Sequence, residues 1–141
     1  MKKIVIRFNA PVILAFALLS LLALLLGKWT DGAATYQYFS VYRASLSDPL
    51  TYVRFFGHVL GHADYEHYMG NMLLILLVGP GLEEKYGSGT MVWTIAVTAL
   101  VTGLVHFVFF PGSVLLGASG VVFMMIVLSS FTESRGGGIP I

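Results

Sequence analysis

Four long apolar runs divide the chain, at about residues 6–27, 67–83, 91–110 and 114–131. The core of the first, Pro11 to Gly27, has Ser20 as its only polar side chain. A helix rising about 1.5 Å per residue needs roughly 20 residues to cross a hydrocarbon core of ~30 Å. The second run is short, and polar groups crowd its N-terminal end. Residues 28–66 lie between these two and interleave Trp29, Tyr36, Tyr42, Tyr52 and Phe55 with few charges. Amphipathic rings settle at headgroup level, so the pattern predicts a structure lying in the membrane interface. Glu83 to Gly89 reads as a tight polar turn, and Pro111-Gly112-Ser113 as the break before the fourth run. The expectation is an all-α, polytopic transmembrane helical bundle forming one membrane domain over residues 1–141.

Composition agrees with the pattern. Hydrophobic residues make up 57% and charged residues 11%, against roughly 45–50% and about 25% in soluble domains. The mean hydropathy is +0.83. So little charge cannot coat a soluble globule of this size. The net charge is +1 with no clustered basic face, so no nucleic-acid partner is expected. The chain has no cysteine, which removes disulfides, thiolate metal sites and cysteine nucleophiles.

The first run also admits a signal-peptide reading, with Met1-Lys2-Lys3 before it and Gly32-Ala33-Ala34 after it. Its length and the runs that follow favour a span. With the N-terminus in the cytoplasm, Lys2, Lys3, Arg7, Lys85 and Arg135 fall inside, and Lys28, Arg43 and Arg54 outside. The positive-inside rule therefore favours a cytoplasmic N-terminus. After the fourth run, Thr132 to Ile141 reads as a loop beginning to enter another apolar segment. The expectation is a piece of a longer protein.

Polar groups at membrane depth are costly and are functional candidates by default. His58 and His62 are four apart, as are His67 and Asn71, so on helices each pair shares a face. They fit interfacial histidines with one asparagine joining helices, or a set of donors aimed at a developing oxyanion. A zinc site finds no HExxH pattern or cysteine in support, and no cofactor is expected. In Gly117-Ala118-Ser119-Gly120 the glycines strip side chains from around Ser119. Near a helix N-terminus, unpaired N–H groups also favour an anion there. Close helix packing is the plainer reading of the same residues. Arg54 and Glu83, taken singly, read as a solvated arginine and a loop carboxylate.

Together these residues resemble the rhomboid family of intramembrane serine proteases. The resemblance lies in Arg54-x-x-x-His58-x-x-x-His62-x-x-x-x-His67-x-x-x-Asn71, Gly79-Pro80-Gly81-Leu82-Glu83 and Gly117-Ala118-Ser119-Gly120-Val121-Val122-Phe123. The H-x-x-x-N and G-x-S-G motifs stand in order, 46 positions apart from Asn71 to Gly117. The resemblance implies Ser119 as nucleophile, with His67, Asn71 and the Ser119 N–H as oxyanion hole. Gly117 would open the site. Phe123 would occupy the place of an aromatic that stacks on the catalytic histidine. Glu83 would tie the second helix end to the following loop. Arg54 would match the arginine of a tryptophan–arginine motif whose tryptophan position holds Val53 here, and His62 would be a supporting residue.

The family's general base, a histidine on a sixth helix, has no counterpart in these runs, and His106 matches nothing in the motif. The resemblance thus implies four spans of an expected six and a chain inactive on its own. It also implies a transmembrane protein substrate, the lipid bilayer as surroundings, and a multi-pass location in a bacterial cell membrane. The rival reading is a non-catalytic, rhomboid-like membrane protein that binds transmembrane segments.

Overall fold

The computed structural model describes residues 10–135. Lys2, Lys3, Arg7, the start of the expected first span and residues 136–141 lie outside the described residues. The described chain is helical, with one isolated antiparallel bridge between Val41 and Leu115. The helices are α1 (Pro11–Trp29), α2 (Ala33–Tyr38), α3 (Pro49–Gly57), α4 (Tyr65–Tyr86), α5 (Ser88–Phe109) and α6 (Ser119–Arg135).

The long helices surround α4. It packs on α1, α5 and α6, while the short α3 lies on α5 and α2 on α1. The core is built from Ile13, Phe16 and Leu24 of α1, Met72 and Ile75 of α4, Met91 and Ile95 of α5, and Val121 and Met125 of α6. Gly79 sets the closeness of α1 and α4, because a Cβ there would stand 2.7 Å from Ile13 Cδ1. The outward faces are apolar too. Leu18, Leu73, Leu77, Val101 and Phe131 are all exposed, a surface suited to lipid rather than water.

Two helices, α1 and α5, are long and apolar enough to cross a membrane. The other two differ for separate reasons. Helix α4 has 22 residues but carries Glu66, Glu83, Glu84 and Lys85. The apolar part of α6 is Ser119–Thr132, shorter than the ~20 residues of a perpendicular span. Val114 to Ala118, expected in the fourth span, are not helical. Leu115 instead exchanges backbone hydrogen bonds with Val41, of 2.8 and 2.9 Å. The expected 83–89 turn shrinks to Gly87, whose φ of 91° breaks the chain between α4 and α5.

Two arginines tie the stretch 28–66, expected at the interface, to its neighbours. Arg54 is buried, 5% exposed, rather than solvated. Its Nε donates to Gln37 O at 2.9 Å, and its guanidinium lies 4.5 Å from the Tyr42 ring centroid. Arg43 donates to Phe107 O at 2.7 Å and Val108 O at 2.9 Å, neutralising carbonyls at the end of α5. The sequence reading did not single out Arg43, because a lone arginine among aromatics shows no partner along the chain.

Candidate functional site

Helix α4 begins at its N-cap, Asp64, whose carboxylate accepts the His67 N–H at 2.8 Å. That cap holds His67 in the first turn and puts Asn71 one turn deeper on the same face. His67 is half-buried. Its Nδ1 accepts the Ala63 N–H at 3.5 Å, which leaves the proton of the neutral ring on Nε2.

Gly117 has a φ of 120°, a conformation that side chains rarely adopt. A Cβ at Gly117 would stand 2.8 Å from His67 Cε1, 2.9 Å from His67 Nε2 and 3.9 Å from Asn71 Nδ2. The missing side chain is therefore what brings His67 and Asn71 up to the backbone entering α6. The Gly117 N–H donates to His58 O at 2.8 Å, fixing that backbone. Helix α6 then opens at Ser119. As its first residues, Ser119, Gly120 and Val121 have no carbonyl one turn earlier to accept their N–H groups. Ser119 is exposed, and its hydroxyl makes no hydrogen bond among the described residues.

His58 and His62 do not share a helix face as the spacing suggested. Helix α3 ends at Gly57, and His62 lies in the following loop. The buried His58 donates from Nε2 to Ala99 O at 2.8 Å. His62, 1% exposed, is an acceptor at Nε2 rather than a donor. It receives the Ala118 N–H at 3.3 Å and Asn71 Nδ2 at 3.1 Å. A backbone N–H can only donate, so Nε2 must carry the lone pair. The Nδ1 proton goes to Leu60 O at 3.3 Å. Burial, reinforced by the neighbouring His67, lowers the His62 pKa to about 4, so the ring is neutral near pH 7.

The structure thus draws His62, His67, Asn71, Gly117 and the head of α6 into one cluster. They come from three stretches of chain, the loop before α4, the first turns of α4 and the segment entering α6, and converge where α6 begins. This chain belongs to the rhomboid family. The family model of the rhomboid domain matches residues 49–136. No curated protein matches the chain. The rhomboid match covers Arg54, His58, His62, His67, Asn71, Glu83, Gly117, Ser119 and Phe123. With α1 and α5 apolar enough to span, the chain is a helical membrane protein of rhomboid type.

Three further residues stand apart from the cluster. Phe123 is one turn beyond Ser119, 69% exposed, and stacks on no histidine among the described residues. His106 bonds to Ser113, not to Ser119. Glu83 is helical and buried rather than in a loop, near the other end of α4. It accepts Ser88 Oγ at 2.7 Å at the start of α5. It also accepts the Val12 and Ile13 N–H groups, at 3.0 and 2.9 Å. That contact caps α1 from 70 positions away, and no local sequence signal announces it.

Proposed function

We propose that this chain carries the nucleophile and oxyanion hole of an intramembrane serine protease that cleaves transmembrane segments of membrane proteins. The observation that carries the reading is the fit of the His67 imidazole into the space that a Gly117 side chain would fill, beside the helix that opens with Ser119. The Ser119 hydroxyl attacks the scissile carbonyl as a base removes its proton. Charge develops on the carbonyl oxygen. His67 Nε2–H, the free N–H of Asn71 and the Ser119 N–H are the donors that receive it. The base then returns the proton to the leaving amine, and water resolves the acyl-enzyme.

The base is not one of the four histidines here. His58 bonds to Ala99, His62 to Asn71 and Ala118, and His106 to Ser113, while His67 faces Gly117. A serine without a base stays protonated and is a weak nucleophile. The chain alone is therefore inactive, and a histidine from a further helix completes the site. In this reading α4 and α6 cross the bilayer with α1 and α5. The N-terminus is cytoplasmic, and Ser119 opens towards the outer face.

Labelling with a fluorophosphonate tests the reading. The chain alone should not label, whereas the chain supplied with a histidine-bearing helix should label at Ser119, and Ser119→Ala should abolish the signal. A cysteine introduced at Lys85 should react only from the cytoplasmic side. The Ser119 hydroxyl has no hydrogen-bond partner among the described residues, which favours a second reading, a non-catalytic binder of transmembrane segments. Continued silence of Ser119 after complementation, with retained binding of a transmembrane peptide, would decide for it.

A further inference from the structure

Two donors meet at one atom of a buried ring. His62 Nε2 accepts the carboxamide of Asn71 at 3.1 Å and the backbone N–H of Ala118 at 3.3 Å. Ala118 is the residue before Ser119, and its carbonyl accepts the Val122 N–H at 2.9 Å, the first backbone bond of α6. Asn71 comes from α4. The two sides of the candidate site, on separate helices, are thus tied through one acceptor.

That acceptor also decides which way Asn71 points. A carboxamide has an oxygen end and an NH2 end of nearly equal size. A lone pair at His62 Nε2 accepts only from the NH2 end. One N–H is then spent on His62, and the other remains on the atom that lies 3.9 Å from the Gly117 Cβ position. Were the ring proton on Nε2, the carboxamide would turn over and present its oxygen to a substrate oxyanion, which repels it. Leu60 O holds the proton on Nδ1 at 3.3 Å. The ring is itself packed edge-on against His67 and Tyr68, with centroids 4.9 and 5.7 Å away.

We infer that His62 is a positioning residue, a neutral Nδ1–H acceptor that sets the carboxamide orientation of Asn71 and anchors the start of α6, so that both present donors to one point. The inference rests on the oxyanion-hole reading for its effect on rate, but not for its geometry. Its neutral state near pH 7 follows from the burial described above.

The test has two parts. In detergent micelles, nitrogen NMR of the histidine-labelled chain should find His62 protonated at Nδ1 and bare at Nε2. The Asn71 carboxamide should carry one proton shifted by a hydrogen bond to nitrogen. His62→Leu should erase that shift. His62→Gln, whose side-chain oxygen reaches about as far as Nε2, should largely restore it. With a histidine-bearing helix supplied, His62→Leu should slow Ser119 labelling about 10–100-fold, less than the ~10²–10³ of losing a donor outright.

In an Asn71→Ala background the same change should cost roughly threefold or less, since residues acting as one unit are not additive. His62 protonated at Nε2, or fully additive losses, would overturn the inference. If Ser119 never labels, the protease reading falls, and the NMR still decides whether His62 orients Asn71.

Discussion

Helix α4 carries a buried polar cluster near each end, and the two are built on opposite principles. At the Glu83 end, the carboxylate meets Val12 N–H, Ile13 N–H and Ser88 Oγ, three donors from two other helices. Pro11 occupies the first position of α1 and has no N–H, and the N-cap Ala10 offers no side-chain acceptor. Glu83 therefore satisfies the two remaining unpaired donors, and its charge sits at the positive end of the α1 dipole. At the Asn71 end, donors exceed acceptors. His62 takes one N–H of Asn71, and His67 and Asn71 lie against Gly117, two residues before the exposed Ser119. Where every polar atom is matched, the cluster is architecture. Where donors are left over, as beside Gly117, the proposed reading gives them a ligand to meet.

The comparison breaks most readily through Glu83. Glu83→Ala would leave Val12 and Ile13 N–H groups buried without acceptors. Each orphaned group costs about 1–3 kcal/mol, so the loss should be several kcal/mol, seen as a large drop in the midpoint of thermal or denaturant unfolding in detergent. A variant that melts like the parent would mean that water reaches these groups.

Asn71→Ala should behave in the opposite way. With the catalytic histidine supplied, turnover should fall roughly 10²–10³-fold, as for loss of one oxyanion donor. Binding of substrate and the unfolding midpoint should change much less. An unchanged rate would remove Asn71 from the site and make the two ends of α4 alike.

Gly117→Ala sits between these cases. The added Cβ would stand 2.8 Å from His67 in a backbone at φ 120°, so strain of about 1–3 kcal/mol is expected together with a displaced His67. Stability and labelling should fall together, as measured by unfolding and by fluorophosphonate reaction. Loss of neither would mean that His67 has room to move.

The smallest effect is a pH dependence confined to the histidine end. Burial and His67 lower the His62 pKa from 6.5 to about 4, opposed by the Leu60 carbonyl. Burial also lowers that of His58, with His106 adding to it and the Ala99 carbonyl opposing. Between pH 6.5 and 4 the unfolded chain binds a proton that folded His62 refuses. Stability is therefore full above the unfolded value, falls as pH drops through that window, and levels off below about 4. His62→Gln should flatten part of the slope, with His58 supplying the remainder. A slope unchanged in that variant would show that His62 is already open to water in the folded state.

Much of this protein was decided along the chain. Apolar run length set the helices, because only a helix satisfies its own backbone inside lipid. The four-residue step from His67 to Asn71 places both on one face of α4. The family motifs are local strings with set spacings. What lay beyond the sequence is every contact between distant segments. His58 and His62 have helical spacing, yet α3 stops at Gly57 because the chain must turn back towards α4. Glu83 looked like a loop acid until α1 supplied two donors from 70 positions away.

The proton position on His62 is the clearest case. Its ring can donate or accept at either nitrogen, and the residue types along the chain do not choose. The choice falls to Leu60 O and Ala118 N–H. Hydrogen-bond direction in a buried cluster is set by the full list of partners, and that list exists only once α3, α4 and α6 have met.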